Sequence, residues 1–435
     1  MRIAVVGGGI SGALAARLLA SQHDVTLLES SHYVGGHANT VEVLSENQSV
    51  PVDTGFMVFN DQTYPNFCRL LRLLDVPSQP TDMSFSVRCD ATSLEYQGSS
   101  LDGLFAQRRN LMRPRFLKMI ADILRFNRLA TRAVTRGDVE PNATVGDYLD
   151  RWRLGREFRD HYLLPMAAAI WSSCPGRVHD FPAPFFFGFC HNHGLLRILG
   201  RPQWRTIVGG SREYLKKLLA PMADRVRTGC AVQSVRRTCD HVVVEHSGTS
   251  VEIFDQVVLA CHADQALEVV QDLDEDERAV LACFPYQRNH AVLHTDTSQL
   301  PQCRRAWASW NYRIAGGDER TACVTYDLTR LQRLPSGERI LLTLNPVQPI
   351  DRAKVLRQFE YAHPAYGRDS AAAQQRWSAV SGWRRLHFCG AYWGYGFHED
   401  GVNSALAVAR NFGIELNACT VGSTVAGSAT IGSPR

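Results

Sequence analysis

The first hydrophobic run, Ile3 to Val6, stops at a cluster of glycines and is followed by an alanine- and leucine-rich segment with the pattern of a helix. A second apolar run, Val25 to Leu28, ends in the acid Glu29. A strand, a glycine turn, a helix and a strand that ends in an acid are typical of a dinucleotide-binding unit. The alternative is an ordinary glycine-rich turn between a strand and a helix.

The glycines of this cluster have separate expected roles. We expect Gly7 to make the tight turn, Gly9 to let a pyrophosphate approach the backbone, and Gly12 to let helix and strand pack closely. The amides at the start of the helix then face the phosphates. Glu29 stands at about the spacing at which an acid accepts hydrogen bonds from a ribose diol.

Further along the chain, Ser49 to Phe59 reads as another strand, and two later blocks have patterns that rejoin the same sheet. The first insertion between these blocks is rich in arginine and aromatic residues and mostly helical in pattern, whereas the second carries strand-like runs. The simplest architecture is an α/β fold in which a nucleotide domain and a substrate domain alternate along the chain. The predicted nucleotide domain comprises residues 1–65, 201–270 and 380–417, and the predicted substrate domain comprises residues 66–200 and 271–379.

Composition narrows the class of protein. A length of 435 residues suggests two or three domains, and a net charge of +4 gives no argument for a nucleic-acid partner. The 12 cysteines form no CxxC pair, which favours reduced thiols in a cytoplasmic protein. No stretch approaches 18 uninterrupted apolar residues, so we expect no membrane span, although the chain can lie peripherally on the inner face of a membrane. Residues 418–435 lack periodicity and nearly all charge, which predicts a disordered tail.

Residues 104–136 are strongly basic, with one acid, Asp122. Apolar residues such as Phe116, Ile120 and Ile123 recur there near helical spacing, so an apolar face lies beside a cationic one. Such a helix can bind an anionic bilayer surface, or it can be a solvated helix whose apolar face packs in the core. The basic residues are Arg108, Arg109, Arg113, Arg115, Lys118, Arg125, Arg128, Arg132 and Arg136.

A second glycine motif indicates which dinucleotide is bound. Gly35 and Gly36 follow six residues after Glu29 and precede His37. This order resembles the flavin amine oxidase superfamily, in which an acid, a double glycine and a basic residue follow the first fingerprint. The resemblance implies extended FAD in a glutathione-reductase-like Rossmann domain, interleaved with an α+β substrate domain of amine-oxidase type.

Other blocks carry the same resemblance. Residues 52–56 resemble the segment beneath the flavin ring, residues 388–391 and 401–404 resemble the C-terminal strand and helix, and Val232 resembles the position whose backbone pairs with adenine. A helix from about Gly401 is expected to direct its amides at the flavin. The expected FAD-binding residues are Gly7, Gly9, Ser11, Gly12, Glu29, Gly35, Gly36, His37, Thr54, Gly55, Phe56, Val232, Gly390, Ala391, Gly401 and Val402.

Several short motifs resemble those of a bacterial FAD-dependent oxidoreductase subfamily. That subfamily is associated with cyclopropane-synthase-like methyltransferases and with branched or furan fatty-acid formation. The motifs that carry the resemblance are residues 105–110, 161–166, 191–194, 201–205 and 394–401. The resemblance implies desaturation or reduction of a fatty acyl chain of a membrane phospholipid by hydride transfer at flavin N5, with a methyltransferase of the same pathway as a possible partner. The alternatives are an amine oxidase that produces peroxide and a non-catalytic lipid-binding protein. No lysine is assignable to the flavin-bridging role of many amine oxidases, which disfavours amine oxidation.

Three histidines are the candidate catalytic residues: His191, His193 and His398. His191 and His193 follow an aromatic run, where they can form a proton relay or substrate anchor, or a pair of hydrogen-bonded structural imidazoles. No acid stands near them at ligand spacing, so we expect no metal. His398 precedes the helix expected at the flavin, and Asp400 is a candidate N-cap of that helix.

Overall fold

The computed structural model describes residues 1–45, 47–247, 251–316 and 322–419. Within these residues the chain forms a parallel sheet, a larger mixed sheet and three small sheets. None of the helices described there is both long enough and apolar enough to cross a bilayer.

The strands are short, and most belong to the two large sheets. In chain order they are β1 Arg2–Val6, β2 Asp24–Leu28, β3 Thr40–Ser45, β4 Gln48–Asp53, β5 Phe59–Asn60, β6 Ser78–Pro80, β7 Phe85–Cys89, β8 Leu94–Gln97, β9 Trp204–Ile207, β10 Val226–Arg227, β11 Val232–Arg237, β12 Val242–His246, β13 Val251–Phe254, β14 Gln256–Leu259, β15 Tyr286–His294, β16 Trp310–Ile314, β17 Cys323–Asp327, β18 Leu341–Leu344, β19 Val355–Pro364 and β20 Leu386–Phe388.

The helices concentrate in the first insertion and around the parallel sheet. In chain order they are α1 Ile10–Leu19, α2 Pro65–Leu73, α3 Leu101–Leu104, α4 Pro114–Arg136, α5 Val145–Arg151, α6 Arg156–Phe158, α7 Leu164–Trp171, α8 Ala183–Asn192, α9 Arg212–Leu219, α10 Ala263–Val269, α11 Glu275–Leu281, α12 Leu328–Leu331, α13 Arg368–Gln375, α14 Trp377–Val380 and α15 His398–Arg410. A π-helical turn, Arg159–Leu163, joins α6 to α7.

The parallel sheet has the strand order β10-β2-β1-β14-β20. Alternate residues of β1 face opposite sides, as the twofold repeat of a strand requires. Ile3 and Val5 pack in the cluster that holds α1, α9 and α15, whereas Ala4 and Val6 pack in the cluster that holds β11 to β13. Both faces are therefore buried, which explains the continuous hydrophobic runs of these strands.

The mixed sheet has the order β19-β15-β18-β17-β16-β7-β8. β7 and β8 come from the first insertion and the other strands from the second, and the parallel pair β7 and β16 joins them. The two insertions thus build one sheet, while strands from all three predicted nucleotide-domain blocks build the parallel sheet. The residue limits of the two domains stay predictions.

Two predicted segments differ from the structure. The strand predicted for Ser49 to Phe59 is wrong in its extent, because β4 ends at Asp53 and pairs with β3 as a hairpin outside the parallel sheet. The tail prediction is wrong for residues 418–419, since Cys419 is fully buried and its carbonyl accepts a hydrogen bond from Arg17. The rest of the predicted tail, residues 420–435, lies outside the described residues.

Candidate functional site

The first glycine motif joins β1 to α1 at the carboxyl edge of the parallel sheet. Gly7 has a φ of +102°, and a Cβ there would lie 2.7 Å from the carbonyl oxygen of Ala260. A Cβ at Gly12 would lie 1.9 Å from the carbonyl oxygen of Gly7. Both positions require glycine because of their protein neighbours.

Gly9 is different, because a Cβ there would meet no described atom within 4 Å. Its φ is −66° and its ψ is 179°, a conformation open to any residue. It directly precedes α1, whose N-terminus has no side-chain cap and so keeps free amide donors. Open space beside uncapped amides fits a phosphate group.

Glu29 ends β2 beside this motif and is buried. One carboxylate oxygen accepts a hydrogen bond from the Gly8 amide at 2.6 Å, and the other accepts from the Ser31 amide at 2.7 Å. The Ser30 hydroxyl also donates to the carboxylate at 3.2 Å, and since a carboxylate has about four acceptor positions, one remains for a ribose hydroxyl. The Cys230 amide donates to the Glu29 carbonyl at 2.8 Å, which brings the start of β11, and with it Val232, close to this acid.

The second glycine motif packs directly on the first. The Gly35 amide donates to the Gly8 carbonyl at 2.8 Å, and Gly36, with a φ of +57°, faces Gly9. His37 follows, and its Nε2 atom is enclosed without a hydrogen-bond partner among the described residues. A buried imidazole nitrogen that lacks a partner beside the glycine motifs also fits a bound dinucleotide.

His37 belongs to a cluster of imidazoles with His262, which follows β14, and His363, which lies in β19. Its ring centroid lies 5.1 Å from that of His363, 6.3 Å from that of His262 and 5.1 Å from that of Tyr361. Burial lowers the pKa of His37 and His262 to about 4 and the pKa of His363 to about 3. His37 is therefore neutral at pH 7 and binds through an N–H group or a lone pair rather than as a cation.

This cluster makes stability depend on pH. Unfolded histidines with a pKa near 6.5 take up protons that the folded cluster excludes, so the free energy of unfolding is expected to fall as pH drops from about 6.5 towards 4. Each such histidine contributes up to about 1.4 kcal/mol per pH unit in that window. The measurement is urea denaturation at several pH values, for wild type and for His262→Phe.

The variant keeps an aromatic ring in contact with Tyr286, on which His262 stacks at 4.2 Å, and removes one titrating group. We expect the free energy of unfolding of the variant to fall less steeply with falling pH, because unfolding then takes up about one proton fewer. Between pH 7.5 and 8.5, where these histidines bind no protons in either state, the two proteins should show the same pH dependence. Equal slopes in the acid range would contradict the argument.

Thr54, Gly55 and Phe56 run from β4 past His37. The Thr54 hydroxyl bonds with that of Tyr361 at 2.7 Å, and the Phe56 amide donates to the His37 carbonyl at 2.6 Å. A Cβ at Gly55 would lie 2.2 Å from the same carbonyl oxygen, so glycine allows this close approach. The three residues thus lie against the second glycine motif.

Asp53, just before this segment, has a role that sequence reasoning missed. Its carboxylate accepts hydrogen bonds from the hydroxyl of Thr40 at 2.6 Å and from the hydroxyl and amide of Ser211 at 2.7 and 2.9 Å. Burial raises its pKa to about 6. The residue clamps the β3–β4 hairpin to the start of α9, which lies in a different chain block. Nothing in the sequence separates it from any other acid at a strand end.

The C-terminal block returns to the first motif. The Gly390 amide donates to the Ser404 hydroxyl at 2.9 Å, and Ala391 begins a 3₁₀ turn. A Cβ at Gly401 would lie 2.8 Å from the Ser11 hydroxyl oxygen, so Gly401 lets α15 approach α1. Val402 is fully buried in the same contact.

The start of the last helix was predicted wrongly. α15 begins at His398 rather than near Gly401, and the Gly401 amide already donates to the Phe397 carbonyl at 3.1 Å. Asp400 is not the N-cap, since its carboxylate accepts from the Phe397 amide at 2.9 Å within the first turn. Glu399 caps another helix, accepting from two backbone amides at the start of α2, each at 2.9 Å.

His398 lies in the core between these elements. Its Nε2 and the Tyr214 hydroxyl are 2.8 Å apart, and its ring stacks on Phe56 with centroids 3.6 Å apart. Burial lowers its pKa to about 3, so it is neutral at pH 7. These contacts give His398 a role in holding α15, α9 and the Thr54–Phe56 segment together, and its catalytic role stays a prediction.

An aromatic wall lies where α7 and α8 of the first insertion meet the loop between β20 and α15. Phe189 contacts Trp171 with ring centroids 4.7 Å apart and Phe397 at 5.1 Å, and Phe185 contacts Tyr395 at 4.9 Å. We define the wall as Trp171, Phe185, Phe189, His193, Tyr366, Tyr395 and Phe397.

The wall includes His193 but not His191. His193 stacks on Phe189 with centroids 3.8 Å apart, and its Nδ1 bonds with the Phe189 carbonyl at 3.0 Å. Burial lowers its pKa to about 4. His191 lies in the last turn of α8, and no ring contact joins it to the wall within the described residues. The described part of the chain contains no group of three or more His, Cys, Asp or Glu side chains suited to hold a metal ion.

The sequence matches the model of the flavin-containing amine oxidoreductases over residues 10–288, more than half of the chain. No curated protein sequence matches it significantly. Solved structures of similar fold include the CLA-producing fatty acid isomerase from P. acnes, with a TM-score of 0.68 and 15% identity over 94% of this chain and 98% of that one. Cyclohexylamine oxidase from Brevibacterium oxydans IH-35A has the same TM-score and identity over 95% and 99%. A putrescine oxidase aligns with a TM-score of 0.65 and 14% identity over 95% and 99%.

These likenesses confirm the predicted α/β fold of amine-oxidase type with its Rossmann domain. The family match confirms the superfamily resemblance and, with oxidases of the same fold among the solved structures, the predicted cofactor FAD. The chain therefore belongs to the flavin-containing amine oxidoreductase family and is an FAD-dependent oxidoreductase.

Proposed function

We propose that the protein desaturates or reduces a fatty acyl chain of a membrane phospholipid. The observation that carries this proposal is the aromatic wall, which holds no charged side chain and includes Tyr395 and Phe397 on the loop that leads into α15. Bound FAD supplies hydride transfer at N5. An apolar chain bound against the wall would be stabilised by about 0.8 kcal/mol per buried methylene group, and the wall would keep water from the reacting carbons.

Asp400, in the first turn of the helix that follows Phe397, does not suit an ammonium group. Asp400 is buried and accepts backbone hydrogen bonds from Phe397 and Tyr395, and burial raises its pKa to about 7. Its acceptors are thus directed at the protein, and its negative charge is partly neutralised at physiological pH. Asp400 therefore offers a cationic amine no solvated carboxylate, which favours an uncharged substrate at the Phe397 end of the wall.

The structural neighbours leave the substrate class open, because a fatty acid isomerase and amine oxidases resemble the chain equally well. The acyl proposal depends instead on the wall and on the motifs shared with the subfamily linked to fatty-acid formation. On the same grounds, a methyltransferase of that pathway is the proposed partner, since a methyl-branched acyl chain is then the substrate.

The test is anaerobic titration of the purified yellow protein with phospholipids and, separately, with amines. For desaturation, the expected result is loss of the visible absorbance of the oxidised flavin on adding phospholipid. For reduction, it is return of that absorbance when phospholipid is added to the dithionite-reduced protein. Either result should accompany a changed acyl profile in cells lacking the gene. Bleaching by amines alone, with peroxide formed in air, would replace the proposal with amine oxidation. A colourless purified protein would favour a non-catalytic lipid-binding role.

Substitution of Phe185 tests the wall itself. Phe185→Asp places a charge among Tyr366 and Tyr395, whereas Phe185→Leu keeps the position apolar. We expect the aspartate variant to need at least about tenfold more phospholipid for half-maximal bleaching, which corresponds to about 1.4 kcal/mol. The leucine variant should stay within about threefold. A wall that binds amines would instead gain affinity for them in the aspartate variant.

A further inference from the structure

α4 is the longest helix of the protein, and one face of it belongs to the core. The buried side chains on this inner face include Phe116, Met119, Phe126 and Ala130. Phe126 contacts Phe187 of α8 with ring centroids 5.9 Å apart. This packing fixes which side of α4 faces outwards.

The outward side carries exposed aliphatic residues. Leu117 and Leu124 are 43% and 48% exposed and lie seven residues apart, so they share one stripe of the helix. In the turn just before α4, Leu111 and Met112 are 51% and 88% exposed. A single exposed leucine is ordinary, but four such residues within 14 positions expose more apolar surface than single leucines do.

Cations accompany this stripe. Lys118 and Arg125 each follow one of the two leucines, and three more arginines continue along the outer side of the helix. None of these five cations has a carboxylate within 4 Å in the described part of the chain, whereas Arg108 and Arg115, just before them, do. We call the leucines and cations together the basic face; its members are Leu117, Lys118, Leu124, Arg125, Arg128, Arg132 and Arg136.

We propose that the basic face docks the protein on an anionic phospholipid surface, with the leucines among the acyl chains and the cations at the headgroups. Unpaired basic residues near an anionic bilayer contribute about 1 kcal/mol each, and the leucines add apolar contact. Nucleic acid fits less well, because the face offers exposed leucines and no aromatic side chain for base stacking.

Docking through this face brings the bilayer to the outer side of α4, and the aromatic wall lies behind the next helix. α8 packs on the inner side of α4 through Phe187, and its wall residues Phe185 and Phe189 lie on its opposite side, two positions away on either side along the helix. Membrane docking would give the enzyme access to an acyl substrate, and this purpose rests on the proposed function. The binding itself is measurable without turnover.

The test is sedimentation of the full-length FAD-containing protein with phosphatidylcholine vesicles, with and without phosphatidylglycerol. Wild type should bind only the anionic vesicles. Combined Lys118→Gln, Arg125→Gln, Arg128→Gln and Arg132→Gln should weaken this binding at least tenfold. A matched control, Arg236→Gln, Arg278→Gln, Arg288→Gln and Arg333→Gln, removes the same charge from exposed positions elsewhere and should stay within twofold.

A second variant, Leu117→Ser with Leu124→Ser, should also weaken binding and should lose most of the part that survives 0.5 M salt. The docking proposal is overturned if wild type does not sediment with anionic vesicles, or if the control loses as much vesicle binding as the α4 variant. It is also overturned if the α4 variant keeps its vesicle binding and loses only binding to DNA. Bleaching of the flavin by detergent-dispersed phospholipid separates the two proposals. Vesicle binding with no response of the oxidised or the dithionite-reduced flavin to dispersed phospholipid would overturn the proposed function and leave docking intact. A flavin response without vesicle binding would do the reverse.

Discussion

Gly9→Val is expected to give a folded protein that has lost most of its FAD. A Cβ at Gly9 meets no described protein atom within 4 Å, and the backbone angles there suit valine, so we expect the fold to be kept. The same side chain fills the space next to the uncapped start of α1, where a pyrophosphate would be held. We expect the ratio of bound flavin to protein, measured by absorbance after dialysis, to fall at least tenfold at equal thermal stability of the flavin-free proteins.

Gly12 provides the opposite case in the same motif. A Cβ there would lie 1.9 Å from the Gly7 carbonyl oxygen, so Gly12→Val should prevent folding and yield insoluble protein. Gly367→Val is the matched control, because a Cβ at Gly367 also meets no described atom but lies in the substrate region. It should retain both fold and flavin. Full flavin content in Gly9→Val would show that the open space serves no phosphate.

Asp53→Ala is expected to lower the free energy of unfolding by roughly 3–5 kcal/mol. The side chain is 2% exposed and accepts the hydrogen bonds that join Thr40 to Ser211. Removing it leaves several buried donors without acceptors and separates the β3–β4 hairpin from α9. Urea denaturation of the flavin-free protein measures the loss.

Two companion variants define the cause. Asp53→Asn keeps one acceptor oxygen and should lose about half as much stability as the alanine variant. Asp224→Ala removes a side chain that is 84% exposed and should change stability by no more than about 0.5 kcal/mol. A small loss in Asp53→Ala would mean that the hairpin is held mainly by other contacts. A loss of flavin without loss of stability would assign Asp53 to the cofactor.

The cofactor end of the site was predictable because its requirements are local. Gly12 meets the Gly7 backbone within the same short segment, and Gly7 itself has a positive φ, so glycines at a fixed spacing meet a requirement that lies within the motif. Gly35 and Gly36 have positive φ angles, which favour glycine for the same kind of reason. The need for glycine at such positions does not depend on where the rest of the chain lies.

The helix start at His398 was not predictable by the same means. Local pattern places a glycine and an acid, Gly401 and Asp400, at an apparent beginning. In the structure the first turn is extended backwards because Asp400 accepts from the Phe397 amide while His398 bonds to Tyr214, a residue 184 positions away. A contact between such distant residues leaves no periodic signal near the helix.

The sequence by itself determined the order of strands and helices around the dinucleotide, the choice of FAD over other dinucleotides and the family, since each depends on short motifs whose backbone geometry only certain residues adopt. Only the tertiary structure decided which polar side chains meet. It joined His37, His262 and His363 into one neutral cluster, gave Asp53 its clamp, and placed His193 in the aromatic wall without His191. The physical reason is that burial and hydrogen bonding between remote segments depend on packing in three dimensions, which neighbours in sequence do not encode.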